Sequence, residues 1–153
     1  MRRSDKEIKD PKEINVILQR TPVCRIALVD NGCPYIVPVN FAVSDNCLYF
    51  HSAKSGKKID ILRKNPSVCF EADLPGDLVC GEKACSWSMT YSSVVGFGES
   101  FFIDAKTEKI KILNILMKKY SGRDSYSYSD EELDKVLVIG VSIKEMTGKN
   151  PSE

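Results

Sequence analysis

The sequence predicts a mainly β, α+β fold, a small antiparallel barrel flanked by helices. Between Val23 and Ala53 three strand-length runs rich in β-branched and aromatic residues, VCRIALVD, PYIVPVNFAV and CLYFHSA, are separated by the turn formers Asp30-Asn31-Gly32 and Ser44-Asp45-Asn46. Strands outnumber helices along the whole chain, and short turns rather than helical crossovers join most of them, which argues against a parallel βαβ architecture. The 153 residues and an apolar share of 42% suit one domain spanning residues 1–153 around one core.

The elements follow in order. DPKEINVILQR opens with Asp10 as N-cap and Pro11 at the first helical position, and Ile14, Ile17 and Leu18 then form one apolar helical stripe. The three strands come next and read as an antiparallel meander. In the second, Tyr35, Val37, Val39, Phe41 and Val43 share one face, whereas Ile36, Pro38, Asn40 and Ala42 share the other. Pro38 cannot donate to a strand ladder, so it marks an edge, a bend or a surface against which a ligand packs. Ser55 is placed to cap a helix over GKKIDILRK, which ends at Asn65-Pro66. SVCFEAD is a strand, LPGDLVCGEKAC a loop, and WSMTYSSVVGFGESFFID one bent strand or a hairpin in which Gly96 and Gly98 allow a bulge or close backbone approach. AKTEKIKILNILMKKY aligns Ile110, Leu113, Met117 and Tyr120 on one helical face. SGRDSYSYSD reads as a surface loop, SDEEL offers a capping box at Ser129 and Glu132, and VLVIGVSIKEM is the last strand.

Charge excludes a global field for nucleic acid or anionic lipid: 22 Lys and Arg face 21 Asp and Glu. The first ten residues, MRRSDKEIKD, turn polar where a signal peptide becomes apolar, and no apolar run is long enough to span a bilayer, so a cytoplasmic protein without a membrane partner is expected. Six cysteines accompany that expectation, three of which (Cys24, Cys47 and Cys69) fall within apolar runs and read as buried thiols. Cys80 and Cys85 are the only close pair; their spacing and the absence of further ligands nearby do not suit zinc, and no metal is expected.

The chemistry concentrates in YFHSAKSGKK, which contains the only histidine, His51. Lys57 and Lys58 fall in the first turn of a helix, where the macrodipole disfavours cations. An anion held by the free N–H groups, the Ser52 and Ser55 hydroxyls and the two ammonium groups reverses that sign, and a phosphate suits the turn. The competing reading is that both lysines only face water. A serine triad, a Walker loop and a dinucleotide fingerprint are all lacking, and a tightly held phosphate-bearing cofactor could instead carry the chemistry.

The succession PYIVPVNFAV, LYFHSAKSGKKIDILRKNPSVCFEAD and YSSVVGFGES resembles the 5-nitroimidazole-resistance (Nim) branch of the pyridoxamine 5′-phosphate oxidase-like, FMN-binding split-barrel proteins over nearly the whole chain. The resemblance implies a six-stranded split β-barrel, a homodimer, and FMN at the subunit interface. It places Pro38, Val39, Asn40 and Phe41 along the flavin ring, and His51, Ser52, Ala53, Lys57 and Lys58 at the strand end and helix start, with Ser52 and the lysines at the phosphate. It puts Ser93 where relatives place a polar residue that reaches the flavin from the neighbouring strand. Ser92 departs from the arginine many relatives carry there, which leaves substrate preference open. The implied activity is an FMN-dependent oxidoreductase that reduces a small molecule, a nitroimidazole being one case; the alternative is a flavin-binding, flavin-storing or regulatory module without a substrate. His51 is the candidate catalytic residue, orienting a substrate or giving it a proton. Trp87, Tyr91, Phe97, Phe101 and Phe102, gathered in one segment, exceed what one barrel interior needs and favour the homodimer.

Overall fold

The computed structural model describes residues 4–150. Its strands are β1 (Glu7–Ile8), β2 (Cys24–Asp30), β3 (Cys33–Val39), β4 (Ala42–Ser44), β5 (Cys47–Ala53), β6 (Ser67–Val79), β7 (Ser88–Ile103) and β8 (Val136–Lys149). The helices are α1 (Pro11–Arg20), α2 (Lys57–Lys64), α3 (Lys106–Ser121) and α4 (Asp130–Lys135). All pairings are antiparallel and run β3-β2-β6-β7-β8-β5-β4, with β1 beside β8. The run begins with β3 and ends with β4, yet only Asn40 and Phe41 separate these two in the chain. The sheet is therefore rolled into a barrel whose seam is one broken strand, and counting β3 and β4 together and leaving aside the two-residue β1 gives the expected six-stranded split barrel.

The expected antiparallel meander forms, with its middle strand broken at this seam. β3 pairs with β2, β4 pairs with β5, and the second run crosses from one end of the sheet to the other at Asn40. Both hairpins turn where Asn31, Gly32, Asp45 and Asn46 adopt positive φ, the primed geometry that matches strand twist. Pro38 lies on β3, the terminal strand, where its missing donor costs no ladder bond.

Leu28, Phe41, Leu48, Phe50, Phe70, Ala72, Val94 and Val141 fill the barrel, and α1 closes one end with Ile14, Ile17 and Leu18. A second cluster, Ala42, Tyr49, Ile103, Ile112, Leu116 and Val138, lies outside the barrel wall under α3. The buried stripe of α3 is Ile112 and Leu116, not the expected Ile110, Leu113, Met117 and Tyr120. Two further expectations change. Gly56 rather than Ser55 is the N-cap of α2, at φ 127°, a value that favours glycine, and no side chain caps it. Leu74–Val79, read as loop, extends β6 and pairs with β7 across a bulge, where Thr90 Oγ1 accepts the Asp77 N–H at 2.7 Å. Of the three cysteines expected in the core, Cys24 is buried whereas Cys47 and Cys69 are half-buried. Among the described residues no helix is long and apolar enough to cross a membrane.

Candidate functional site

β5 alternates across the barrel wall. Leu48 and Phe50 point inward, while Cys47, Tyr49 and His51 face the side covered by α3. Tyr49 is packed under that helix, but His51, paired with Val138 one step further along, emerges beyond the packed cluster. There α3 and α4 leave a cavity of about 520 Å³ lined by Asn40, His51, Leu113, Leu116, Met117, Tyr120, Tyr128, Glu132 and Val136. Asn40 and His51 come from two different sequence motifs and reach one space because β4 and β5 pair beside the strand break.

The wall opposite His51 is fixed by hydrogen bonds. The Tyr120 hydroxyl accepts the Phe41 N–H at 2.8 Å and donates to the Pro22 carbonyl at 2.8 Å, so the end of α3 holds the strand break in place. Asn114 of α3 accepts the Tyr126 N–H at 2.9 Å and anchors the segment that carries Tyr128. Glu132 closes the capping box of α4, whose N-cap is Ser129: its carboxylate accepts the Ser129 N–H at 2.8 Å, and that contact together with the Ser129 hydroxyl holds its pKa below the ordinary range. The cavity is otherwise largely apolar, with His51, Asn40 and the tyrosine hydroxyls as its polar groups.

Burial lowers the His51 pKa, and the nearby Lys58 charge lowers it further, so the imidazole is neutral at physiological pH. Burial lowers Lys58 as well; its ammonium lies 5.4 Å from the centre of the Phe50 ring. Lys57 is turned elsewhere, 3.4 Å from an Asp30 carboxylate oxygen and 5.0 Å from the centre of the Tyr35 ring. The two lysines, adjacent in sequence, thus divide between the His51 side and the β2–β3 turn.

The remaining expected residues separate. Val39 and Phe41 are buried in the barrel, Pro38 and Ala53 are exposed at the seam and at the end of β5, and Ser52 is half-buried, paired with Leu137. Ser93 is remote from His51 within one chain. It pairs with Lys149 of β8, whereas His51 pairs with Val138, eleven residues away (149 minus 138) and about 35 Å along the strand. β7 is also not the neighbour of β5, because β8 lies between them. The residues that sequence reasoning missed are Tyr128, Val136 and the apolar stripe of α3. Leu113, Met117 and Tyr120 were legible as a stripe, but it lines the cavity instead of the core.

Residues 10–150 match the family model described as pyridoxamine 5′-phosphate oxidase. The chain belongs to this family. Among solved structures, this pyridoxamine 5′-phosphate oxidase-like chain is similar to a candidate 5-nitroimidazole antibiotic resistance protein from Bacteroides thetaiotaomicron. The identity is 36% over 94% of this chain and 86% of that one, at a TM-score of 0.84. It is also similar to an FAD- and heme-binding protein from Mycobacterium smegmatis (20% identity, 97% of this chain and 74% of that one, TM-score 0.88). A third likeness is to an FAD-binding protein from Mesorhizobium loti (24% identity, 94% of this chain and 96% of that one, TM-score 0.70). At those lower identities the likeness shows the split-barrel fold alone. No curated protein matches the chain.

Proposed function

We propose that the chain is a flavin-dependent oxidoreductase of the cytoplasm, acting as a homodimer that holds FMN and reduces a small planar acceptor, of which a nitroimidazole is one case. The observation that carries this reading is the convergence of His51 and Asn40 on one apolar cavity, with His51 at the end of the strand that leads into the uncapped start of α2. The family and the Bacteroides relative support it.

The residues present fit a flavin mononucleotide. At the phosphate end, α2 begins at Gly56 without a side-chain cap, no heavy atom lies within 4 Å of where a Cβ on Gly56 would be, and Lys58 is the cation on the His51 side. At the ring end, the outer face of β3, with Ile36, Pro38 and Asn40, is exposed along the free edge of the sheet. The anion position at the start of α2 and the lack of a dinucleotide fingerprint in the sequence favour FMN over FAD. Ser93, about 35 Å from His51 along β8 of its own chain, reaches such a ligand only from a second copy.

A bound flavin supplies hydride or electron transfer, which no side chain here provides. The protein binds, orients and moves the proton. Leu113, Met117 and Tyr128 would exclude water from an acceptor in the cavity, and the Tyr120 contact to Phe41 fixes the wall beside Asn40. His51, neutral at pH 7, hydrogen-bonds the acceptor, and its protonated fraction, which grows as pH falls, supplies the proton that accompanies reduction.

The visible spectrum of the purified protein, followed by mass analysis of the released cofactor, tests this reading. Yellow protein that releases FMN and whose reduced form is reoxidised by a nitroaromatic is expected. Released FAD overturns the FMN assignment, colourless protein after reconstitution overturns the flavin site, and a flavin that is bound but never turns over leaves a carrier or regulatory module.

A further inference from the structure

The two-stranded ribbon that extends β6 and β7 beyond the barrel ends in a loop that holds two of the six cysteines. Past Ser93 neither β2 nor β8 pairs with these strands, and the last pair of the ribbon is Val79 with Ser88. Residues 80–87, CGEKACSW, follow, with Cys80 and Cys85 both exposed. The loop is closed on itself. The Ser86 N–H donates to the Lys83 carbonyl at 2.9 Å, and the Ser86 Oγ donates to the same carbonyl at 2.7 Å and accepts the Lys83 N–H at 3.2 Å, around one 3-10 turn at Ala84–Ser86. Gly81 backs onto that turn: a Cβ there would lie 2.9 Å from the Ser86 carbonyl carbon and closer still to its Cβ and Oγ, so the close approach requires glycine. Gly81 and Ser86 are thus held against each other, and Cys80 and Cys85 are the residues immediately before them.

This pair differs from the other thiols. Cys24 is buried, and Cys47 and Cys69 are half-buried on β5 and β6. Cys33 is exposed, but it sits opposite Asp30 at the far end of its hairpin from Cys24. Among the described residues no three His, Cys, Asp or Glu side chains gather as a metal site, so the chemistry open to Cys80 and Cys85 is that of two thiols. A disulfide needs Cα atoms about 4.4–6.8 Å apart. With Val79 opposite Ser88, the register brings Cys80 to the level of Trp87, two residues beyond Cys85 on the other side of the loop. No strand pairing restrains residues 80–87, so the adjustment that brings the sulfurs together breaks no ladder bond. A cross-link at the tip also ties together two strands that, as an isolated ribbon, are marginally stable in water.

We propose that Cys80 and Cys85 form a reversible dithiol–disulfide site whose oxidant is a low-molecular-weight disulfide. One cysteine thiolate attacks the S–S bond of the oxidant and releases one thiolate, leaving a mixed disulfide. The second cysteine thiolate attacks the protein sulfur of that mixed disulfide and releases the other half. One S–S bond breaks and one forms, two electrons pass from the protein to the oxidant, and the two protons lost by the cysteines end on the two released thiols. Exposed disulfides are the readily reduced kind, so in a reducing compartment the site rests as the dithiol and closes when the oxidant rises. The site is separate from the cavity at His51 and does not depend on flavin.

The test uses the full chain, equilibrated with glutathione buffers of graded oxidised-to-reduced ratio, quenched in acid and mapped by peptide mass. A link between Cys80 and Cys85, with no glutathione on either, is expected. Trp87, the only tryptophan, stands beside the site, and a disulfide in contact quenches indole emission, so fluorescence should fall on oxidation and recover with dithiothreitol. Because the folded loop holds the two thiols near each other, the equilibrium constant for oxidation should be about tenfold larger in the folded chain than in concentrated urea. Cys80→Ser and Cys85→Ser should each carry one glutathione on the remaining cysteine of the loop and lose the fluorescence response, whereas Cys33→Ser should leave the link and the response unchanged. Glutathione held separately on Cys80 and Cys85, a link that runs to Cys33 instead, or equal constants in the folded and unfolded chain would each overturn the proposal.

Discussion

Stability between pH 8.5 and 10 offers a sharp test of the packing that holds the strand break. Lys119 projects from α3 over the ring of Phe41, 3.3 Å from its centre, and donates to the Leu18 carbonyl at 2.8 Å, one of the carbonyls left free at the end of α1. Burial lowers its pKa to about 8. Cys24 lies buried close by, and burial raises its thiol to about 12. The two shifts act on stability with opposite sign. The unfolded chain holds a lysine proton up to about pH 10.4. As pH rises above about 8 it therefore binds more protons than the folded state at Lys119, and stability rises. Unfolded cysteine loses its proton near 8.5, so above that pH the folded state binds more protons at Cys24, and stability falls. Each full proton of difference changes the unfolding free energy by about 1.4 kcal/mol per pH unit. Wild type should therefore show a shallow profile, because the terms offset. Lys119→Met removes the rising term and leaves a loss of about 1.4 kcal/mol between pH 9 and 10, whereas Cys24→Ala should gain stability over the same interval, by less because Lys119 is partly solvated. Urea unfolding in half-unit pH steps measures the slopes. Equal slopes for wild type and Lys119→Met would refute the burial assigned to the lysine; a steep fall in Cys24→Ala would refute that of the thiol.

Three further outcomes are expected. Lys58→Ala should weaken FMN by about one to two decades and riboflavin, which has no phosphate, hardly at all, whereas Lys57→Ala, whose ammonium lies near Asp30, should change both little; titration of the apoprotein with each flavin checks this. Tyr120→Phe deprives the Phe41 N–H of its acceptor and should cost about 1–2 kcal/mol in chemical denaturation, with weaker flavin retention because Asn40 is adjacent. His51→Ala should keep colour and dimer but flatten the acid rise in the rate of flavin reoxidation by a nitroaromatic; loss of flavin with a normal profile in the remaining holoprotein would make the histidine structural.

Local chemistry was the legible part of this sequence. Asp10-Pro11 starts α1, Asn31-Gly32 and Asp45-Asn46 turn the two hairpins, and Ser129 with Glu132 caps α4, because each signal acts within a few residues. The strand break at Asn40 was not legible, since the alternation from Tyr35 to Val43 continues through it and only long-range pairing reveals that β3 and β4 belong to opposite ends of the sheet. Pro75 and Gly76 suggested a loop where a bulged ribbon forms, because the Thr90 hydroxyl receives the Asp77 N–H that the bulge displaces. At the site, periodicity found the Leu113–Met117–Tyr120 stripe but could not say which of two adjacent apolar stripes faces the core. Ile112 and Leu116 are equally helical in spacing, and they are the ones that dock on β4, β5 and β8.

That choice of face ties the cavity to the closure of the barrel. A seam made of one broken strand has no ladder of hydrogen bonds across it, so something else must fix how its two halves meet. The last turn of α3 does so: Tyr120 clamps the backbone of Phe41 to Pro22, and Lys119 covers the Phe41 ring while bonding the end of α1. One turn and two turns earlier the same helix presents Met117 and Leu113 to the cavity. A side chain that repositions α3 to enlarge the cavity must also disturb the seam beside Asn40. The acceptor space and the strand break are therefore set by one rigid element, and substitutions that alter acceptor size should be tolerated at Tyr128, which lies on the segment anchored by Asn114, better than at Met117.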